Sequence, residues 1–325
     1  MSGRWSVTDS THHVPVAERL GADVRAGLTL DPPWLPPKWF YDEKGSLLFE
    51  EITRLPEYYP TRAEESILAA RSAEIAARTG AGALVEIGAG ASRKTRLLLD
   101  ALTAGDRPVL FVPLDVSAEM LRTAAARIAE DYPTVEVAGI VADFDDPLPP
   151  LPGEPGKRLV AFLGSTIGNL TTELRRDFLR RIRDAMQPGD GFLLGADLVK
   201  DPARLVAAYD DAQGVTAAFN RNLIEVLGRL LDAGLDPADF EHVARWNADE
   251  ERIEMWLRAR RPVHARFPSI DLDWSLPEGG ELLTETSQKF RLPALREELA
   301  AAGLAPARSW TDAAGDFSLT LALAG

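Results

Sequence analysis

Apolar residues recur at helical spacing over residues 15–30, 43–53 and 62–79, predicting three helices near the start of the chain. Between the first two, DPPWLPPKWFYD (31–42) carries four prolines, which forbid a regular helix or a central strand. Thr61 stands as a plausible N-cap of the third helix, with Glu64 three residues on as its capping-box partner. From Ala83 the register changes. ALVEI (83–87) is a short apolar run that ends in Gly88-Ala89-Gly90, and a helix is expected from about Lys94 to Leu102. Further strands are expected at Val109–Leu114, ending on Asp115, at Val135–Val141, ending on Asp143, at Arg158–Leu163, and at Gly191–Leu198. Helical stretches at 117–130 and 171–186 separate them.

Strands that alternate with helices of ten to fifteen residues predict a doubly wound, mostly parallel α/β sheet. Right-handed crossovers bring the strand C-termini to one edge, where ligands bind. Residues 200–289 read differently. Two helical stretches (202–212 and 215–233) precede three extended segments, EHVARWNAD, ERIEMWLRARR and ELLTETSQKF, which suggest an antiparallel group. A helix (294–302) and two strands (305–310 and 317–323) then supply what an open sheet lacks after its fifth strand. The expected organisation is a sheet domain of 63–199 and 290–325, with an α+β domain formed by 1–62 and the insertion 200–289. DPLPPLPGEPG (146–156) reads as a surface connection, and the leader, with His12 and His13, as a frayed tail.

Composition narrows the function. With 36 Lys and Arg against 50 Asp and Glu, the formal charge is −14, which disfavours nucleic acid and anionic membranes as partners. There is no cysteine, which excludes thiolate nucleophiles and disulfides, and four histidines make a metal site improbable, so none is expected. The start shows no apolar signal region and no run of eighteen apolar residues occurs. A cytoplasmic protein is the expectation, and a monomer, because no heptad seam is visible.

The first strand-to-helix turn reads Glu86-Ile87-Gly88-Ala89-Gly90-Ala91-Ser92-Arg93-Lys94-Thr95. A dinucleotide fingerprint and a P-loop both need glycine where Arg93 stands. Glu before Gly-x-Gly fits a sulfonium cofactor better, since no pyrophosphate has to be held. Asp115 is placed to accept ribose hydroxyls, and Asp143 with Phe144 to meet an adenine amino group and cover its face. Each acid alone has a plainer reading, as a helix cap or a solvated loop residue. Lys94 could meet a cofactor carboxylate or lie on a solvated face.

LPPKWFYD (35–42), LPEYYPTR (55–62), FLGSTIGNL (162–170), YDDAQGVTAAFNRN (209–222), DEERIEMWLRA (249–259) and LLTETSQKF (282–290) together resemble the histidine Nα-methyltransferases of ergothioneine biosynthesis. These blocks span essentially the whole chain apart from the leader. The resemblance implies a class I, Rossmann-like S-adenosylmethionine (SAM)-dependent fold and three methylations of the α-amine of L-histidine, giving hercynine. It implies that Gly88, Lys94, Asp115, Asp143 and Phe144 hold the cofactor. Asn169 and Tyr209 would bind the substrate carboxylate. Tyr58, Glu285 and Ser287 would read the imidazole side, Thr286 between them would also bind the substrate, Tyr41 and Gly164 would lie near the reacting amine, and Phe49 and Met255 would shape the pocket. Tyr41 is the candidate for accepting or relaying the amine proton. Glu285 and Ser287, two apart on an extended segment, point to one face, which suits a two-point reading of one ring.

Plainer readings stand beside these: Tyr58 and Met255 as packing residues, and Trp39, Phe40 and Tyr41 as a cap on the helical part. Rival functions are methylation of another amino acid or small amine, a nucleic-acid or protein methyltransferase, a non-enzymatic SAM-binding module, and a nicotinamide oxidoreductase. Glu285 separates the first, since its charge suits imidazole and is of no use to an apolar ring. Net charge and the lack of an NPPY-like motif oppose the second, and Arg93 opposes the last.

Overall fold

A computed structural model describes residues 4–10, 14–90, 92, 94–142 and 148–325. In chain order these form β1 (Trp5–Asp9), α1 (Val16–Gly27), α2 (Glu43–Ile52), α3 (Tyr59–Thr79), β2 (Ala83–Ile87), α4 (Thr95–Leu102), β3 (Val109–Asp115), α5 (Ala118–Asp131), β4 (Val135–Val141), β5 (Arg158–Phe162), α6 (Thr172–Ala185) and β6 (Gly191–Asp197). There follow α7 (Pro202–Ala207), α8 (Val215–Leu231), β7 (Phe240–Asn247), β8 (Arg252–Ala259), β9 (Val263–Phe267), β10 (Leu272–Leu276), β11 (Glu281–Gln288), α9 (Leu292–Ala301), β12 (Leu304–Thr311) and β13 (Phe317–Ala324). Two compact units arise, one from residues within 1–12, 60–199 and 290–325, the other from 13–59 and 200–289.

The first unit is an eight-stranded sheet of order β1-β4-β3-β2-β5-β6-β13-β12. Its first six strands are parallel, β13 runs antiparallel beside β6, and β12, antiparallel to β13, returns to the common direction. Every residue of β2, β5 and β6 is buried, as strands covered on both faces require. Neighbours in sequence feed opposite faces: Leu84 packs with Leu98, Phe111 and Leu193, while Val85 packs with Val112, Phe162 and Phe178. The second unit holds the antiparallel sheet β11-β8-β7 and the hairpin β9–β10. Its core joins Leu20, Phe40, Phe219, Leu223, Phe240 and Leu257.

Three expectations change. The leader is not a tail: Trp5–Asp9 pairs in parallel register with Val137–Val141, and β1 belongs to the large sheet. Its polar composition hid the strand, because an edge strand needs only backbone partners and one inward contact, here Val7. His12 and His13 lie outside the described residues. The third helix starts at Tyr59, so Thr61 falls in its first turn and caps nothing, and the unit boundary falls at 59/60. Finally, β9 and β10 were not anticipated; their alternation is short and interrupted by the Pro268–Ile270 turn.

The proline-rich connection is fastened to the sheet by Asp190, which is fully buried. Its carboxylate accepts from the backbone N–H of Gly156 (2.8 Å), Arg158 (3.1 Å) and Gln187 (2.9 Å), and from Arg158 Nε (2.9 Å). Removing it strands a buried guanidinium and three N–H groups. Asp190→Ala is expected to lower unfolding free energy by about 3–5 kcal/mol in urea titration; a loss under about 1 kcal/mol would show that water replaces the carboxylate there.

Candidate active site

Where β2 stops, the chain turns on two glycines. Gly88 has φ +68° and Gly90 φ +49°, a region that favours glycine. The Gly88 N–H donates to the carbonyl of Leu114 (2.8 Å) and the Gly90 N–H to Asp115 Oδ2 (2.9 Å). Among the described residues, no heavy atom beyond the chain neighbours lies within 4 Å of where a Gly90 Cβ would sit, so these residues leave space beside the turn. Asp115 Oδ1 accepts the Ser117 N–H (3.0 Å), and Ser117 in turn caps α5 through Met120 N (3.3 Å). Burial pushes the Asp115 carboxyl up, while the N–H groups of Gly90, Ser117 and Val116 hold it down. A carboxylate has about four acceptor sites, so the backbone N–H groups leave part of its capacity for a ribose hydroxyl. Asp143 and Phe144 lie outside the described residues.

Glu86 is turned inward. It is buried on β2 and accepts the hydroxyl of Thr95, at the first residue of α4, and burial pushes its carboxyl up to about 7. Of the acid series, Glu86 therefore ties the turn to its helix. Lys94 is held by Glu64, whose carboxylate is completely buried and also accepts the Gly164 N–H at 3.0 and 2.9 Å. Glu64 thus closes a tertiary contact where the sequence suggested a capping box. Gly164 has φ +78°, and a Cβ there would sit 3.3 Å from Lys94 Nζ. Asn169 ends the 3-10 turn Thr166–Asn169 after β5 and is half-buried.

In the second unit, Tyr41 follows the turn Pro37–Phe40. That turn is fixed by Asp42, which caps α2 through Gly45 N (2.8 Å) and accepts from Asn222 Nδ2 (2.8 Å). Gly45 is required there, because a Cβ would stand 1.7 Å from the Phe40 carbonyl oxygen. The Tyr41 ring meets Phe49 and Phe219 edge-on, each with centroids 5.5 Å apart. Phe49 meets Tyr58, and Tyr58 meets Tyr209, both at 6.2 Å. Four residues singled out in the sequence therefore form one aromatic run.

β11 supplies the polar counterpart. Glu285 stands opposite Met255, and both are buried. Its carboxylate accepts no hydrogen bond among the described residues, and burial pushes it up to about 7, opposed by the charge of Lys289. Ser287 Oγ is 2.8 Å from Tyr209 OH, and Lys289 Nζ donates to both, at 2.9 Å each. Thr286 is placed differently. The pleat turns its side chain to the face of Glu254, which is bound to Asn247 (2.9 Å) and Trp256 (3.2 Å), so only its backbone lies with Glu285 and Ser287.

Sequence reasoning missed Glu64, Lys289 and a buried support for Tyr209. His242 Nε2 donates to the Tyr209 carbonyl (2.8 Å), which leaves Nδ1 to accept from Asn220 Nδ2 (2.8 Å). Asn220 Oδ1 accepts from Thr284 Oγ1 (2.7 Å). Burial pushes the His242 pKa down, in keeping with this neutral ring. Lys289 was legible as the third member of the same-face series 285, 287, 289. Asn220 and His242 carried no sequence signal.

Comparison with known proteins follows this geometry. The family model described as "Histidine-specific methyltransferase, SAM-dependent" matches residues 20–324. A histidine N-alpha-methyltransferase of Mycolicibacterium smegmatis is 57% identical over 307 residues, 94% of this chain and 95% of that protein. One of Mycobacterium tuberculosis is 55% identical over 303 residues, 93% of this chain and 94% of that protein. Ergothioneine biosynthesis protein 1 of Neurospora crassa is 34% identical over 228 residues, 68% of this chain and 26% of that protein. The fold is the expected Rossmann-like, class I methyltransferase sheet, with the single reversed strand β13 between β6 and β12.

The Glu285 carboxylate generates a stability test in the ligand-free protein. Raised from 4.5 to about 7, it binds its proton more tightly when folded, so its destabilising charge is absent below about pH 4.5 and complete above about pH 7. Glu285→Gln should therefore raise the melting temperature at pH 8 but scarcely at pH 5, with a gain on the order of 3 kcal/mol at the higher pH. An equal shift at both pH values would mean that the folded protein does not hold a strained carboxylate there.

Proposed function

Because the chain belongs to the family of histidine-specific, SAM-dependent methyltransferases, we propose that it transfers three methyl groups in succession to the α-amine of L-histidine, giving hercynine, the first step of ergothioneine biosynthesis. SAM is the cofactor and the substrate is a small molecule. The observation that carries the histidine reading is the buried Glu285 carboxylate with no hydrogen-bond donor among the described residues, two residues from Ser287 on one face of β11. A buried anion left unpaired is unfavourable, and an imidazole N–H is a donor that would satisfy it. The acidic, cysteine-free composition and small ligands fit our further reading of a cytoplasmic monomer. None of the helices among the described residues is long and apolar enough to cross a membrane.

The residues of the first unit fit the cofactor: open space beside Gly90, spare acceptor capacity on Asp115 and an ammonium on Lys94 suit a sulfonium nucleoside with an amino-acid tail. Gly88, Lys94 and Asp115 would hold it, with Asp143 and Phe144 assigned by resemblance to the adenine. Bound SAM supplies an electrophilic methyl group, so the chain's own work is positioning, exclusion of water and removal of protons. Asn169 and Tyr209 are the proposed donors to the substrate carboxylate; Glu285 and Ser287, with Tyr58, read the imidazole. Phe49 and Met255 shape the pocket, Gly164 lies near the amine, and Thr286 contributes through its backbone.

Each transfer needs a neutral nitrogen, so three protons leave the amine over the three rounds. Tyr41 is proposed to accept or relay them, and its ring face accommodates a methylated ammonium that no longer offers N–H groups. The edge-on contacts with Phe49 and Phe219 hold that ring in place.

Mass spectrometry after incubation with SAM and each of the twenty amino acids tests the reaction. Histidine alone should gain mass, ending three methyl groups heavier; methylation of a different amino acid would remove the Glu285 and Ser287 assignments and leave the cofactor reading standing. Tyr41→Phe should keep histidine affinity while kcat falls by roughly 100-fold. Turnover equal to the parent enzyme would take Tyr41 out of the chemistry.

A further inference from the structure

Lys289 is 1% exposed, one of the most completely buried large side chains in the protein, and no role for it has been assigned above. Burying an ammonium is unfavourable unless its donors are used and its charge is answered. Two donors go to the hydroxyls of Tyr209 and Ser287, at 2.9 Å each, and those hydroxyls stand 2.8 Å apart, closing a triangle. Lysine donates and cannot accept. Both oxygens therefore spend a lone pair on the ammonium. One hydroxyl proton bridges the two oxygens, and the other is turned away from the ammonium. A serine and a tyrosine alone could present either a donor or an acceptor. With Lys289 behind them, they present a donor polarised by a full positive charge.

We propose that Lys289 is a positioning and specificity residue that supplies, one hydrogen bond removed, the positive charge for the substrate's carboxylate. The inference rests on the function proposed above and deepens it. A phenol and an amide offer an anion two neutral donors, and a buried cation hydrogen-bonded to the phenol polarises its O–H toward that anion. Glu285 carries the opposite sign on the same face of the same segment, four residues earlier. A strand rises about 3.3 Å per residue, so consecutive same-face positions lie about 6.6 Å apart. The Glu285, Ser287 and Lys289 series thus runs from an acidic end suited to an imidazole N–H to a cationic end suited to a carboxylate. The substrate class selected is an amino acid with both groups intact, and its decarboxylated amine is rejected.

Lys289 holds its partners whatever the ligand, so a purely structural role has to be separated from a specificity role. The experiment compares L-histidine with histamine, which lacks only the carboxylate, by calorimetric Kd in saturating S-adenosylhomocysteine and by kcat/KM. Lys289→Met is expected to weaken histidine binding at least tenfold more than histamine binding, which loses only the support given to Ser287, and to leave the Kd for S-adenosylhomocysteine unchanged. The preference for histidine over histamine should collapse accordingly. Lys289→Gln keeps an N–H donor for both hydroxyls without the charge; it is the second variant should Lys289→Met fail to fold, and the same loss of preference is expected of it. A parental histidine-to-histamine preference in either folded variant overturns the assignment, as does an equal weakening of both ligands, which is the mark of a structural role. If the parent protein fails to methylate histidine, the function itself is overturned, whereas a parent that does so beside variants of unchanged preference sinks only the role of Lys289.

Discussion

A parallel strand that stops at a sheet edge leaves backbone N–H groups with nowhere to donate, and in the large sheet buried and half-buried carboxylates take them up. Asp115 takes the N–H groups of Gly90 and Ser117 and so joins the end of β3 to the turn after β2. Glu64 takes the Gly164 N–H and the Lys94 ammonium, joining the turns after β2 and β5 to the start of α3. Glu86 takes the Thr95 hydroxyl from below. Such groups are unfavourable to bury unless every bond is made, so the loops at the edge are held to one arrangement. That is the preorganisation a cofactor site needs: its geometry is fixed by bonds that exist before any ligand arrives.

The second unit solves a different problem with the same means. Its core is apolar and aromatic, and a core of that kind tolerates many packings. The bonds from Thr284 through Asn220 and His242 to the Tyr209 carbonyl remove that freedom at one place, since each partner has one acceptable orientation. His242 can serve only as the neutral tautomer, which its burial favours. Tyr209 is thereby fixed at its backbone by His242 and at its hydroxyl by Ser287 and Lys289. A side chain pinned at both ends loses little entropy on meeting a ligand.

The alternation of the chain revealed the fold because strand burial on two faces and amphipathic helices both leave a period in the sequence. The places of the turns after β2 and β3 were legible, and so were the same-face positions 285 and 287. What could not be read was whatever depends on the partner and not on the period. Glu64 has the spacing of a capping residue, and only the approach of Lys94 and Gly164 shows its use. The leader looks like a tail because an edge strand needs few apolar side chains. Thr286 was grouped with its neighbours by adjacency, although the pleat sends its side chain to the other face. Asn220 and His242 sit 22 residues apart with no pattern linking them.

Glu285 and Lys289 also bear on why the site is placed where it is. Each buries charge, and each would be replaced by an apolar residue if stability alone governed the choice, since hydrophobic replacements of buried ions are often neutral or stabilising. The positive charge of Lys289 keeps Glu285 more acidic than burial alone would leave it. The two charges thus lessen the unfavourable burial of one another without neutralising one another by contact, and Glu285 retains its full acceptor capacity. A direct ion pair would have been more stable and would have left nothing with which to recognise a ligand. Opposite charges on one face of one extended segment, held apart by Ser287, give a site whose acidic end keeps an acceptor for a ligand donor and whose other end offers hydroxyls polarised by Lys289.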